Sequence, residues 1–380
     1  MPEQPHRPAA APSVILTETG IRTGDSEMTF IAQTANGLAE SGIVPDALIR
    51  SGIRRLVGQR QFQIRNQTNT DLEAFVGMMN ESPVALVPDL ANEQHYEVPA
   101  AFFKESLGTH RKYSCCYWGG SVSNLDEAEE RALEISCERA RIEDGMRVLD
   151  LGCGWGSLSL WIAGHYPNCS VTSVSNSASQ RQFIEEEAAS LGLQNIQVIT
   201  ADMNDFSIDQ QFDRILSIEM FEHMRNYGKL FERIAGWLHE DGYFFMHIFC
   251  HKNAAYEYVD NGPSDWMSRH FFSGGIMPSG DLPSRFQQHL AIADQWRWSG
   301  THYQKTAEAW LQNMDSRRSV IMPIFEETYG RENAKRWWMR WRIFFLAVSE
   351  MFGAEAGREW GVGHYLFKSK NFVENSRNEQ

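Results

Sequence analysis

The chain has 380 residues, with 35 Lys or Arg against 49 Asp or Glu and a formal net charge of -14. That length allows one large elaborated domain or two smaller ones, and the acidic balance argues against nucleic acid or anionic lipid as electrostatic partners. The six cysteines form no C-x-x-C pair and no regular spacing, so neither a zinc site nor a disulfide framework is indicated.

Residues 1–25, rich in Pro, Ala and small polar types, are expected to form a disordered tail without function. The first residues lack the hydrophobic core of a signal peptide and no apolar run reaches membrane-span length, so a cytoplasmic protein without stable membrane insertion is expected. A helical N-terminal region follows over 26–110. Ile49, Ile53, Leu56 and Val57 share one helical face, Arg50, Arg54 and Arg55 another, and Leu72, Phe75, Val76 and Met79 repeat the apolar stripe. The arginine cluster reads as a solvated face rather than an anion site.

Over 111–250 the pattern alternates. A helix is expected over 126–140, then strands at 147–151, 170–175, 196–200, 212–218 and 242–248, separated by helical stretches near 158–166 and 176–191. Such alternation predicts an α/β fold, a Rossmann-like doubly wound parallel sheet whose ligands bind beyond the carboxyl ends of the strands. Residues 251–380 are aromatic-rich and less regular until a strong helix at 337–352, and are expected to supply a substrate-binding cap with a C-terminal helix and strand section.

The end of the first strand is the most informative segment. Val148-Leu149-Asp150-Leu151-Gly152-Cys153-Gly154-Trp155-Gly156 runs an apolar strand into an acid and three alternating glycines. Glycine lets the backbone turn sharply and approach a ligand closely, with a helix N-terminus behind it. The dinucleotide fingerprint is spaced G-x-G-x-x-G, whereas D-x-G-x-G-x-G is the pattern of S-adenosylmethionine-dependent methyltransferases, so Asp150, Gly152 and Gly154 are expected to hold S-adenosyl-L-methionine. After the second strand, Ser175, Asn176, Ser177 and Gln180 offer neutral polar groups for ribose hydroxyls, although Asn176 also suits the N-cap of the next helix. After the third, Asp202 and Met203 suit an adenine.

The fourth strand ends in Ile218-Glu219-Met220-Phe221-Glu222-His223. Glu219, Glu222 and His223 stand at i, i+3 and i+4, so one helical turn would point all three toward the functional edge of the sheet. Taken alone, such a group often only stabilises a helix start; here its position favours catalysis, as two carboxylates and an imidazole can attract a cation and take its proton. Methyl transfer from a sulfonium is an in-line displacement that needs alignment and a free lone pair. An amine as basic as lysine is neutral in only roughly one molecule per thousand at pH 7, so a base contributes directly. Trp266, Phe271, Phe272, Trp337, Trp341 and Phe344 are candidates for cation-π contact with such an amine, though most aromatic residues serve the core.

Longer motifs carry a resemblance. Ala91–Pro99 (ANEQHYEVP), Lys112–Trp118 (KYSCCYW), LDLGCGWGS, Ser217–Gly228 (SIEMFEHMRNYG), Asp265–Ser279 (DWMSRHFFSGGIMPS) and His302–Trp310 (HYQKTAEAW), within a span from about Val44 to Lys370, make the chain resemble the coclaurine N-methyltransferase group, itself similar to cyclopropane fatty acid synthases. The resemblance implies a class I methyltransferase core with a helical cap, cofactor contacts at Ser114, Gly152, Asn176, Gln180, Asp202 and Met203, and catalysis at Glu219, Glu222 and His223. Cyclopropane synthases are associated with a bicarbonate base held by Cys, Glu, His and Tyr positions. Here Cys115, Glu219 and His247 match three, and Phe344 is read as the fourth, without a hydroxyl, which counts against the alternative of cyclopropanating unsaturated acyl chains. The expected pocket comprises Cys115, His247, Trp266, Phe271 and Phe344; the expected partner is a small amine, with no nucleic acid, no metal and a homodimer admitted.

Overall fold

The computed structural model describes residues 33–86, 98–262 and 265–370. The expected tail and all but the last two residues of the Ala91–Pro99 motif lie outside the described residues.

Helices α1 (Asp46–Ile64), α2 (Asn69–Glu81) and α3 (Ala100–Ser106) precede the sheet. Helix α2 begins at a capping box, in which Asp71 Oδ2 accepts the Thr68 N–H at 2.7 Å and Thr68 Oγ1 accepts the Asp71 N–H. Then come α4 (Leu125–Ala140), β1 (Arg147–Leu151), α5 (Ser157–His165), β2 (Ser170–Ser175), α6 (Ala178–Ser190), β3 (Ile196–Thr200), β4 (Phe212–Ile218), α7 (Tyr227–Trp237) and β5 (Leu238–His251). Strands β1, β2, β4 and β5 are buried along most of their length, as expected of parallel strands covered on both faces.

The seven-stranded sheet has the order β3-β2-β1-β4-β5-β9-β8. Strands β1 to β5 are parallel, and the order reverses between β1 and β4, so a crevice opens where Gly152 and Glu219 leave the sheet. The C-terminal section does more than cap. After the short β6 (Tyr256–Glu257), helix α8 (Trp266–His270) and β7 (Ile276–Met277), β8 (Leu290–Ser299) and β9 (Trp360–Ser369) complete the sheet as antiparallel strands, with His364 opposite His247. The boundary expected at 250/251 therefore cuts through the sheet.

Between β8 and β9, helices α9 (Gly300–Ser316), α10 (Arg318–Tyr329) and α11 (Arg331–Gly353) build the cap. Its core is aromatic, with Phe102 and Phe103 of α3 packed against Trp341 at 4.7 and 5.8 Å between ring centroids. Helix α1 is bound to this layer by ions: Arg50 reaches Glu308 at 2.6 Å and Glu350 at 3.0 Å, while Arg342 reaches Asp46 at 2.8 Å and Asp315 at 2.7 Å. No helix among the described residues is long and apolar enough to cross a membrane.

Candidate active site

Strand β1 delivers Asp150 into the interior, where the Ser159 hydroxyl donates to it at 2.6 Å and burial pushes its carboxyl up to about 6. The turn after it needs glycine. Gly152 and Gly154 hold φ of 75° and 53°, in the left-handed region, and the N–H groups of Gly152 and Cys153 both donate to the Val174 carbonyl at 3.0 Å, fixing the turn to β2. A Cβ on Gly152 would lie 2.7 Å from Met220, whereas one on Gly154 would meet nothing within 4 Å, because Gly154 faces open cavity.

Two connected spaces surround this turn. The larger, of about 1000 Å³, is lined by Ser114, Asp150, Trp155 and Ser157 on the sheet side and by α1 and α11 on the cap side. The smaller is lined by Asn176, Gln180, Asp202 and Met203. Helix α6 is capped by Ser177, whose Oγ accepts the Gln180 N–H, so Asn176 is not the N-cap; it lines the smaller space. Trp155 Nε1 and Ser157 Oγ are buried without a protein partner at the entrance to α5. Two unsatisfied donors at a helix N-terminus suit a carboxylate, and the open face of Gly154 suits close approach of a ligand. The residues fit S-adenosylmethionine.

Gly152, Gly154, Gln180, Glu219 and His223 line both spaces, so Glu219 and His223 stand where the two meet. The expected helical turn through the trio does not form. Glu219 itself takes φ 50°, a left-handed conformation costing a non-glycine residue about 1 kcal/mol, and only Phe221–His223 make a short 3-10 turn. The consequence is a division. Glu219 and His223 face the cavity, whereas Glu222 is fully buried behind it, with Oε1 accepting the Phe249 N–H at 2.6 Å and Oε2 without a partner.

Glu219 is held by three groups. Its Oε1 accepts the Cys115 N–H at 2.9 Å and lies 3.1 Å from His247 Nε2, and its Oε2 accepts the Tyr303 hydroxyl at 2.7 Å. Burial raises its carboxyl above the ordinary glutamate range, opposed by the Lys112 charge and by the Cys115 and Tyr303 donors. Burial and the neighbouring Glu219 push Glu222 well above that range. Burial, Lys112 and Arg139 hold His247 well below its usual value, so it is neutral, and its Nε2–H is the proton facing the carboxylate.

Of the residues expected in the pocket, Trp266 and Phe344 line the larger space. Cys115, His247 and Phe271 do not. The Cys115 thiol contacts the Cys116 carbonyl, His247 stands behind Glu219, and Phe271 is fully buried, stacked on Phe344 at 4.6 Å. The missing hydroxyl inferred at Phe344 is also corrected: Tyr303, on α9, supplies one directly to Glu219. Tyr303 sits within the HYQKTAEAW motif, which was the available signal, but its contact with Glu219 spans 84 residues and no spacing rule predicts it.

A glycine turn at the switch point of a β3-β2-β1-β4-β5-β9-β8 sheet, with an acidic residue directly after β4, defines a class I methyltransferase, and the comparisons with known proteins carry the same class. Residues 88–354 match the family model described as mycolic acid cyclopropane synthetase. The chain is 39% identical over 339 residues to (S)-coclaurine N-methyltransferase of Thalictrum flavum subsp. glaucum, covering 87% of this chain and 94% of that one. It is 30% identical over 244 residues to cyclopropane-fatty-acyl-phospholipid synthase of Escherichia coli (strain K12), covering 64% of this chain and 61% of that one. A crystal structure of coclaurine N-methyltransferase bound to N-methylheliamine and S-adenosylhomocysteine superposes with a TM-score of 0.85 at 38% identity, covering 88% of this chain and 99% of that one. This chain belongs to the mycolic acid cyclopropane synthetase family, is similar within it to the coclaurine N-methyltransferases, and is an S-adenosylmethionine-dependent methyltransferase.

Proposed function

We propose that the enzyme methylates the nitrogen of a small aromatic, benzylisoquinoline-like amine. The observation that carries this reading is the position of Glu219 and His223 at the junction of the two cavities, against the glycine turn. S-adenosylmethionine supplies an electrophilic methyl on a sulfonium; the protein supplies a place for the amine. The Glu219 carboxylate attracts the ammonium form into a cavity walled by Tyr256, Tyr258, Trp266, Phe272 and Phe344. His223, packed at 4.6 Å against Phe272, takes the proton and frees the lone pair. Glu222 acts from behind, as a buried carboxyl that limits how much negative charge the pair can carry. The similarity to the coclaurine enzymes and the N-methylated amine bound in the similar structure support a nitrogen acceptor.

A panel of tetrahydroisoquinolines, benzylamines and phenethylamines with methyl-labelled cofactor tests the proposal. Label is expected in a ring-bearing secondary amine, and no labelled amine across the panel would end this reading. The Tyr303 hydroxyl favours one other reading, because with Cys115, Glu219 and His247 it completes the four residue types associated with cyclopropane synthesis. In this structure the Cys115 N–H, His247 and Tyr303 all point at the carboxylate of Glu219 itself. Acyl chains gaining one methylene in a host expressing the enzyme would establish that second reading.

A further inference from the structure

Lys112 is buried beneath the site, 2% exposed, and makes no ion pair among the described residues. Its ammonium donates to Ser114 Oγ at 2.6 Å and to the Cys115 carbonyl at 2.8 Å. Both acceptors are uncharged, so the cation is left to act on the carboxylates around it. Its backbone is anchored separately, because Glu129 of α4 accepts the N–H groups of Gly108, His110 and Lys112 at 3.0, 2.7 and 3.1 Å.

Each bond has a consequence. The ammonium can only donate, so Ser114 Oγ is its acceptor and the serine's own hydrogen is turned away from it. Ser114 lines the sheet side of the larger space, together with Gly152 and Gly154 of the glycine turn, and that hydrogen is available to a ligand there. The second bond fixes residue 115, whose N–H holds Glu219 Oε1. A buried carboxylate without a nearby cation would tend to take up a proton.

We infer that Lys112 is a positioning residue that joins the two halves of the site, supplying the countercharge for Glu219 and aiming the Ser114 hydroxyl toward a cofactor bound against the glycine turn. The inference rests on Glu219 being the anion of the amine site. The groups facing Glu219 are Cys115, Lys112, Tyr303, His247 and Glu222, and those facing Lys112 also include Glu129, Cys116 and His364. Of these, Lys112 is the group that lowers Glu219 by its charge.

The test compares K112Q and K112R with the parent in the full chain. The readouts are the pH profile of kcat/KM, measured with the panel's fastest amine, and the calorimetric Kd of S-adenosylhomocysteine. Activity needs ionised Glu219 and is lost as pH falls through its pKa, so losing the cation moves the acid limb upward, by about one pH unit in K112Q. K112R keeps the charge and leaves the limb in place. The Kd for S-adenosylhomocysteine rises about tenfold in K112Q, the effect of one misdirected hydrogen bond to a charged group. A K112Q limb that coincides with the parent's overturns the inference, even when E219Q is inactive; a fully active E219Q overturns the reading beneath it instead. Where K112Q does not fold, S114A takes its place: it must weaken S-adenosylhomocysteine about tenfold with the acid limb unmoved. Unchanged binding in S114A overturns the inference.

Discussion

Glu219 departs from its own backbone preference to turn a carboxylate into the cavity, and three donors then hold it there. Burial disfavours the ionised form of this carboxylate, the form that the proposed reaction uses. The acid limb of kcat/KM should consequently lie above the ordinary glutamate pKa of about 4.3, with activity present above the limb and falling below it. E219Q and H223A should each reduce kcat/KM by roughly a hundredfold while leaving cofactor affinity near that of the parent, the scale of a lost base or preorganised charge. A calorimetric titration alongside steady-state rates checks both halves, and near-parental rates in either variant would remove that residue from the mechanism. Glu222 behaves differently because it is buried and bonded to the Phe249 N–H. E222A orphans that N–H and should lose about 1–3 kcal/mol of stability, whereas E222Q keeps the acceptor and should retain more turnover than E222A. The sequence spacing i, i+3, i+4 identifies these three residues, but it describes a helix that the backbone at Glu219 does not form. The unequal exposure of the trio was therefore illegible, and so was Tyr303, whose position depends on a contact between α9 and the end of β4.

At the scale of the element, the glycine turn separates folding from binding. Gly152 packs against Met220 and Gly154 opens into the cavity, although both have left-handed φ. G152A should be strongly destabilised, since a methyl group would collide with a buried side chain as well as strain the backbone. G154A has only the strain, about 1–2 kcal/mol, and its methyl group projects into ligand space. The expected pattern is a larger drop in Tm for G152A and, in G154A, a loss of S-adenosylhomocysteine affinity of at least about tenfold. Parental affinity in G154A would show that the cofactor does not approach the turn closely. The turn and the strands around it were legible because their signals are local: buried apolar runs ending in glycine or acid. Strands β8 and β9 were harder to read. β8 alternates exposed residues such as Gln295 and Arg297 with aromatics, and both strands lie at the antiparallel edge, separated by three cap helices, so no βαβ rhythm marks them.

The whole molecule closes the larger cavity, where the proposed acceptor binds, with pieces from opposite ends of the chain. Ile49, Ile53 and Val57 of α1 form one wall, Phe344, Val348 and Met351 of α11 another, and Arg50 bridges α1 to Glu308 and Glu350 across more than 250 residues. The apolar side of α1 was legible in its periodicity; the ion pairs were not, because Arg50 and Arg54 read as a solvated face until the partners on α9 and α11 are brought to them. Helix α1 buries few residues of its own, so these pairs carry an unusual share of its attachment. The pair with Glu308 is partly exposed, and the cost of R50A should be modest, about 1 kcal/mol. Its effect should be local. Faster amide exchange is expected across Asp46–Ile64, with β1 to β5 unchanged, because the sheet does not depend on these contacts. Loosening one wall of the acceptor cavity should raise KM for the amine several-fold while the Kd for S-adenosylhomocysteine stays constant, since the residues that fit the cofactor lie on the sheet side. A KM that is unchanged despite faster exchange in α1 would mean that the helix does not shape the acceptor cavity. A parallel loss of cofactor affinity would mean that the two ends of the chain hold the whole site together rather than its acceptor half.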